Sequence, residues 1–165
     1  METSLHSRAA GFLALLLVLI SLVYFNTLSA PFNFDDELVL KFQIVDKGSF
    51  PFWDNNKSLL DNLYPPRYRH LFFLSLVFNY SKGELNPFGY HLINLSLHFM
   101  TSVIVFFITF ITIIKGIFWG KKEAFAIAVI TTLFFALNPV HSETINYISA
   151  RAVGMSSFFY LLALL

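Results

Sequence analysis

Long stretches without any charged side chain dominate this sequence. No Asp, Glu, Lys or Arg occurs in residues 9–34 or in residues 85–114. Because an α-helix rises about 1.5 Å per residue, each stretch is long enough to cross a hydrocarbon core of roughly 30 Å. Of all residues, 56% are hydrophobic and only 13% are charged, whereas soluble domains carry roughly one quarter charged residues. The sequence therefore predicts an all-α, polytopic membrane protein.

Four spans are predicted within a single transmembrane domain over residues 1–165. They lie at about 11–29, 88–114, 124–140 and 152–165, and they are separated by outer loops at 30–87 and 141–151. The fourth is too short for a complete span, which needs about 20 apolar residues. We therefore expect the sequence to be the N-terminal fragment of a longer protein.

The first outer loop, residues 30–87, is large and contains a short apolar segment. Residues 70–81 would form a helix of only about 18 Å, too short to cross the bilayer. This segment is predicted to be an interfacial or re-entrant helix. Pro31 disfavours continuation of the first span. A cleaved signal peptide is the alternative for that span, but Leu28-Ser29-Ala30 lacks the usual small residue at the third-last position.

Basic residues in the short flanks predict the orientation of the chain. Arg8, Lys115, Lys121 and Lys122 are placed inside, because cytoplasmic flanks are enriched in Lys and Arg. Both outer loops are then extracytoplasmic, in the plasma membrane of a prokaryote or the endoplasmic reticulum of a eukaryote. A net charge of +1 gives no basic surface for nucleic acid. The absence of cysteine excludes a disulfide scaffold and a thiolate site.

Three adjacent carboxylates, Asp35, Asp36 and Glu37, follow the first span. Their mutual repulsion and partial desolvation near a membrane surface favour proton uptake, which suits a general base. A solvated acidic loop that merely ends a span is the alternative. No metal site is predicted, because hard cations need several oxygen ligands and this spacing is common.

Polar residues recur at three- and four-residue steps along the second span. His91, Asn94, His98 and then Thr101 or Ser102 fall on one helical face. Such a stripe is costly against lipid, so it should face other helices or a wet cavity. It either contacts a proton or phosphate group or only forms interhelical hydrogen bonds.

The second outer loop contains His141, Glu143 and Arg151. Glu143, Tyr147 and Arg151 would share one face if the segment were helical. Arg151 opens the fourth span, where its guanidinium could bind a lipid phosphate or simply reach the headgroups. Arg69 is a second basic residue beside the membrane.

Four sequence blocks, in order, resemble one enzyme family. They are Phe32-Asn33-Phe34-Asp35-Asp36, Tyr68-Arg69-His70-Leu71, the run from Leu85-Asn86-Pro87 to His98, and Asn138-Pro139-Val140-His141-Ser142-Glu143-Thr144 with Arg151. Together they are similar to the transmembrane and tetratricopeptide-repeat O-mannosyltransferases. That family belongs to the GT-C glycosyltransferases, so the resemblance implies a GT-C-like transmembrane bundle. No tetratricopeptide repeat is visible in this sequence.

The resemblance implies sugar transfer from a polyprenyl-phosphate donor to a protein or other hydroxyl acceptor outside the cytoplasm. Asp35 or Asp36 is then the catalytic base, with Asp36 slightly preferred; no cofactor is assigned, and a divalent metal is the alternative. Contacts to the donor or acceptor are expected from Glu37, Arg69, His91, His98, His141, Glu143 and Arg151. The alternative is a membrane scaffold or transport-associated protein in which the polar stripe only packs helices.

Overall fold

A computed structural model of the chain describes residues 2–33, 35–40, 69–117 and 120–165. Their regular structure is entirely helical, which confirms the predicted all-α class. The α-helices are α1 Glu2–Val23, α2 Asp35–Leu40, α3 His70–Gly83, α4 Pro87–Thr112, α5 Lys121–Ala136, α6 Ser142–Asn146 and α7 Arg151–Leu164. Short 3₁₀ helices lie at Phe25–Ser29 and Pro139–His141, and a π-helical turn at Ile113–Ile117 extends α4.

Two helices are long and apolar enough to cross a membrane on their own. They are the Leu5–Val23 part of α1 and the segment Pro87–Gly116. The segment formed by α5 and Pro139–Asn146 qualifies only as a pair, because a bend of 48° separates its halves. By length and composition the described residues therefore contain two or three spans, and α7 is a shorter apolar helix.

The first span is displaced from its predicted limits. Its helix begins at Glu2 and ends at Val23, not within 11–29, because exposed residues such as Arg8 can continue a helix beyond the apolar core. Phe25–Ser29 then forms a tighter 3₁₀ turn. Thr27 in this turn is buried and donates a hydrogen bond to the Asn146 Oδ1 atom at 2.6 Å, which ties the end of α1 to α6.

Local sequence sets the start of α4. Asn86 is the N-cap, and its side-chain oxygen accepts a hydrogen bond from the Phe88 N–H at 3.1 Å. Pro87 occupies the first helical position, where a missing N–H costs nothing. The Tyr90 hydroxyl donates to the Glu84 carbonyl at 2.8 Å, so the preceding turn is held against the new helix.

Small residues bring α4 and α5 together. Ala124, Ala128, Thr132 and Ala136 recur at four-residue steps and are completely buried. Their short side chains allow close approach of the two backbones, as is common between membrane helices. The adjoining apolar core combines α1 and α4 through residues such as Leu16 and Phe106.

A second apolar cluster holds the short helix α2. Its buried members come from α2, α3, α4 and the turn before α7, and they are Leu40, Phe72, Phe73, Leu76, Tyr90 and Ile148. Burying each large apolar side chain contributes roughly 1.5–3 kcal/mol. The helix that begins with Asp35 is thereby fixed beside α3 and α7.

Candidate functional site

The two adjacent aspartates at the start of α2 have opposite environments. Asp35 is exposed, whereas Asp36 is fully buried. The Asp36 carboxylate accepts hydrogen bonds from the Ser149 N–H at 2.7 Å and from the Asn33 N–H at 3.3 Å. Because successive helical side chains point in different directions, one carboxylate braces the turn before α7 while its neighbour remains accessible.

Arg151 opens α7 as predicted, but its side chain lies inside the protein and has no exposed surface. Its Nε donates to the Asn94 Oδ1 atom at 2.7 Å. Its Nη1 donates to Ser75 Oγ and Asn79 Oδ1, both at 2.9 Å, and its Nη2 donates to the Tyr90 carbonyl at 2.9 Å. Four of the roughly five guanidinium N–H donors are therefore already used.

One short turn links the buried cation to the buried anion. Ser149, which donates to Asp36, is only two residues from Arg151. Ile148 is fully buried, and its carbonyl accepts from the Arg151 N–H at 3.1 Å. Asp36 and Arg151 also attract one another electrostatically. Arg151 thus holds α3, α4 and the turn that anchors the acidic residues.

The polar stripe on α4 faces the protein, as predicted. His91, Asn94, His98, Thr101 and Ser102 are all buried. Thr101 and Ser102 donate to carbonyls one turn earlier in α4. The stripe therefore makes its contacts within the bundle.

Three members of the stripe bind other elements. His91 Nε2 lies 3.1 Å from the Ala30 carbonyl, and His98 Nε2 lies 2.9 Å from the Ala136 carbonyl. Asn94 Nδ2 donates to the Ile145 and Tyr147 carbonyls, each at 3.2 Å. A carbonyl oxygen only accepts, so Nε2 carries the proton in both imidazoles. The interhelical hydrogen-bonding interpretation accounts for these contacts.

His98 and His141 are brought together, with ring centroids 5.2 Å apart. Phe135 packs against both, at 4.4 Å from His141 and 5.8 Å from His98. These rings border a cavity of about 260 Å³ between α4, α6 and α7.

The predicted common face of Glu143, Tyr147 and Arg151 is wrong. Helix α6 ends at Asn146, and Tyr147 has an extended backbone with ψ of 123°. Arg151 begins a different helix, so four-residue spacing has no meaning across this break. Glu143 is exposed on α6. It lies in a different helix from Arg151, so the two residues share no helical face.

Arg69 is exposed at the start of α3. It borders an open groove of about 670 Å³ between α3 and α7, whose other lining residues are mostly apolar, including Leu71, Val153 and Phe159. The side chain of Glu37 lies outside the described part of the structure. Among the described residues, no group of three or more His, Cys, Asp or Glu side chains could hold a metal ion.

The sequence analysis did not predict two hydrogen-bond partners of Arg151. Ser75 and Asn79 lie four residues apart in the largely apolar first part of α3, and this spacing on one helical face was the available signal. Asn79 also begins an Asn-Tyr-Ser tripeptide of the glycosylation type. Its side chain is only 6% exposed and is bonded to Arg151, so it cannot accept a glycan in this fold.

Comparisons with curated proteins identify relatives over nearly the whole chain. The chain is 31% identical to human protein O-mannosyl-transferase TMTC3 over 164 residues, which is 93% of this chain and 16% of that protein. It is 34% identical to human protein O-mannosyl-transferase TMTC2, over 87% of this chain and 17% of the relative. The chain is 30% identical to protein O-mannosyl-transferase Tmtc1 of Drosophila melanogaster, over 97% of this chain and 18% of that protein.

No family model matches the chain, and no solved structure matches it. The chain spans about one sixth of the length of the curated relatives it matches. The identity of 30–34% nevertheless extends over at least 87% of this chain. The protein is therefore TMTC-like, a relative of the TMTC protein O-mannosyl-transferases across nearly all of the sequence present here.

Proposed function

We propose that the protein acts in O-mannosyl transfer, moving mannose from a polyprenyl-phosphate donor to a hydroxyl group of a protein on the extracytoplasmic side. The activity for which the relatives are named supplies the reaction class. The observation that carries the proposal within this chain is the exposed Asp35 carboxylate beside the anchored Asp36. A general base must be reachable by the proton that it removes, and Asp35 meets this requirement.

In the proposed reaction, Asp35 accepts the proton of the acceptor hydroxyl. The hydroxyl oxygen attacks the anomeric carbon of the sugar, and the bond between that carbon and the phosphate oxygen breaks. The electron pair leaves with the polyprenyl phosphate, and the sugar is inverted at the anomeric carbon. Asp36 keeps Asp35 in position through its bonds to Ser149 and Asn33.

Arg69 is the better candidate for the donor phosphate. The Arg151 guanidinium has already committed four donors to protein oxygens. Arg69 is exposed at one side of an apolar groove, and a guanidinium can bind phosphate oxygens bidentately. The groove also shares Phe72 and Met155 with the cluster that holds α2, so a lipid-linked sugar in it would lie beside the residues that pack α2.

The direct test is a transfer assay with the complete protein in membranes. Radiolabelled polyprenyl-phosphate mannose and an acceptor protein should yield labelled acceptor whose label is released by mannosidase. GDP-mannose supplied without the lipid donor should give no product. Labelling from GDP-mannose alone, in membranes unable to make the lipid donor, would rule out the proposed donor class.

The proposed orientation predicts the accessibility of two exposed sites. Val140, before α6, is 74% exposed, and Lys122 is exposed at the start of α5. In intact cells an impermeant thiol reagent should label Val140→Cys above the background of the unsubstituted protein. Lys122→Cys should react only after permeabilisation. The reverse pattern would place Asp35 and the connector that braces it in the cytoplasm and contradict the extracytoplasmic reaction.

The scaffold alternative has one specific observation in its favour. Asn94, His98, Thr101 and Ser102 of the α4 stripe each make a hydrogen bond to a backbone carbonyl. A scaffold needs those contacts but no accessible base. Normal cellular function of a full-length Asp35→Asn protein that lacks transferase activity would favour the scaffold.

A further inference from the structure

A cavity lies apart from the acidic residues, between α4, α6 and α7. We call this cavity of about 260 Å³ the inner cavity. Side chains from all three helices and from the end of α5 border it, including His98, Phe135, His141, Thr144, Ser157 and Tyr160. The proposed transfer reaction assigns no role to these groups.

His98 offers an unused hydrogen-bond acceptor at the inner cavity. Its Nε2 is occupied as a donor to the Ala136 carbonyl, so the neutral ring carries its lone pair on Nδ1. The side chain is only 8% exposed, and no hydrogen bond to Nδ1 occurs within the described part of the chain. An acceptor without a partner, on a side chain that borders a cavity, suits a ligand that donates a hydrogen bond.

The lining of the inner cavity selects against charged ligands. Its residues include no Asp, Glu, Lys or Arg, so an enclosed phosphate, carboxylate or ammonium group would lack a counter-ion. The Thr144, Ser157 and Tyr160 hydroxyls can each donate and accept. Such a set matches a ligand with several hydroxyl groups.

Aromatic rings are among the groups that border the inner cavity. His141 and Phe135 pack with their centroids 4.4 Å apart, and His98 adjoins both. The face of an aromatic ring is electron-rich and attracts positively polarised hydrogens, such as the C–H groups on one face of a sugar ring. Hydroxyl groups and aromatic rings that border one cavity are a combination suited to a carbohydrate.

We infer that the inner cavity binds one uncharged monosaccharide ring. Its volume is slightly below the roughly 300–1,000 Å³ of typical small-molecule sites, so it suits one ring better than a peptide or a complete lipid-linked sugar. Asn94 borders the cavity and also binds Arg151, which connects it to the turn beside Asp36. The inference rests on the proposed function for its choice of mannose, which could come from the donor or from an acceptor that is already mannosylated.

The test measures binding of methyl α-mannopyranoside to the purified complete protein by saturation-transfer NMR. Saturable binding is expected, and His98→Gln should weaken it at least tenfold. The glutamine amide can still donate to Ala136 but places no acceptor at the Nδ1 position. Ser157→Leu, which fills the exposed mouth, should abolish binding, whereas Ser96→Leu on the exposed face of α4 should leave it unchanged.

Competition distinguishes the two sources of the sugar. Displacement of the probe by polyprenyl-phosphate mannose would assign the ring to the donor, and displacement by a mannosylated peptide would assign it to the acceptor. Failure of saturable binding, or equal binding by the His98→Gln, Ser157→Leu and Ser96→Leu proteins, would overturn the inference. An unsubstituted protein that binds the probe in a His98-dependent manner but shows no transferase activity would contradict the proposed function alone.

Discussion

Asparagine in place of Asp35 should lower the rate of sugar transfer by about 100-fold to 10,000-fold, the usual contribution of a general base. Asparagine has nearly the same size but cannot accept the proton of the acceptor hydroxyl. Because Asp35 is exposed and makes no described side-chain hydrogen bond, the protein should fold normally. The measurement is the initial rate of transfer by the full-length protein, divided by its abundance in the membrane.

Asp36→Asn is the matched control. This change weakens a buried acceptor of two backbone N–H groups, so it should destabilise the protein by roughly 1–3 kcal/mol. Folded protein and melting temperature should both fall, and transfer per folded molecule should fall less than for Asp35→Asn. Full activity in Asp35→Asn, together with inactivity of well-folded Asp36→Asn, would instead identify Asp36 as the base.

Arg151→Gln should destabilise the protein by about 3–5 kcal/mol, since removing one member of a buried charged network leaves the other groups without partners. Asn79, Asn94 and the Tyr90 carbonyl would lose their donor. Arg151→Lys should restore little stability, because a single ammonium cannot reach acceptors arranged around a planar guanidinium. Thermal unfolding in detergent, followed by size-exclusion chromatography, measures the effect.

Arg69 provides the control for Arg151 within the same chain. Arg69→Gln removes an exposed arginine and should leave the melting temperature nearly unchanged, while raising the concentration of lipid donor required for half-maximal transfer. Arg151 would be reassigned to the donor phosphate if Arg151→Gln melted normally but transferred no sugar.

A double substitution of Arg151→Met with Asn79→Leu should lower the stability of the protein by less than the sum of the two single changes, because both residues belong to one hydrogen-bond network.

Local patterns correctly predicted several parts of the molecule. The uncharged run at 85–114 predicts the Pro87–Gly116 span. The apolar run after His70 predicts the short helix α3. Each of these features depends on neighbours within a few turns of helix.

Some boundaries departed from the prediction because local apolarity does not reveal where a helix bends. The third predicted span, 124–140, is interrupted after Ala136 and continues through short helices at an angle of 48°. Asn138 and Pro139 mark this break, since the Asn138 side chain caps the Val140 N–H at 3.0 Å. The connector consequently folds back over α4, and it brings His141 to His98.

The sequence alone was sufficient to predict a helical membrane protein, the inward-facing stripe on α4 and an acidic group following the first span. Only the tertiary structure distinguished the exposed Asp35 from the buried Asp36, and only it placed Arg151 inside the bundle. The physical reason is that helical periodicity reports interactions over three or four residues, whereas Arg151 is bonded to partners 57 to 76 residues away. Those distant partners decide whether a charged side chain is exposed and free to bind a ligand or is buried and hydrogen-bonded within the protein.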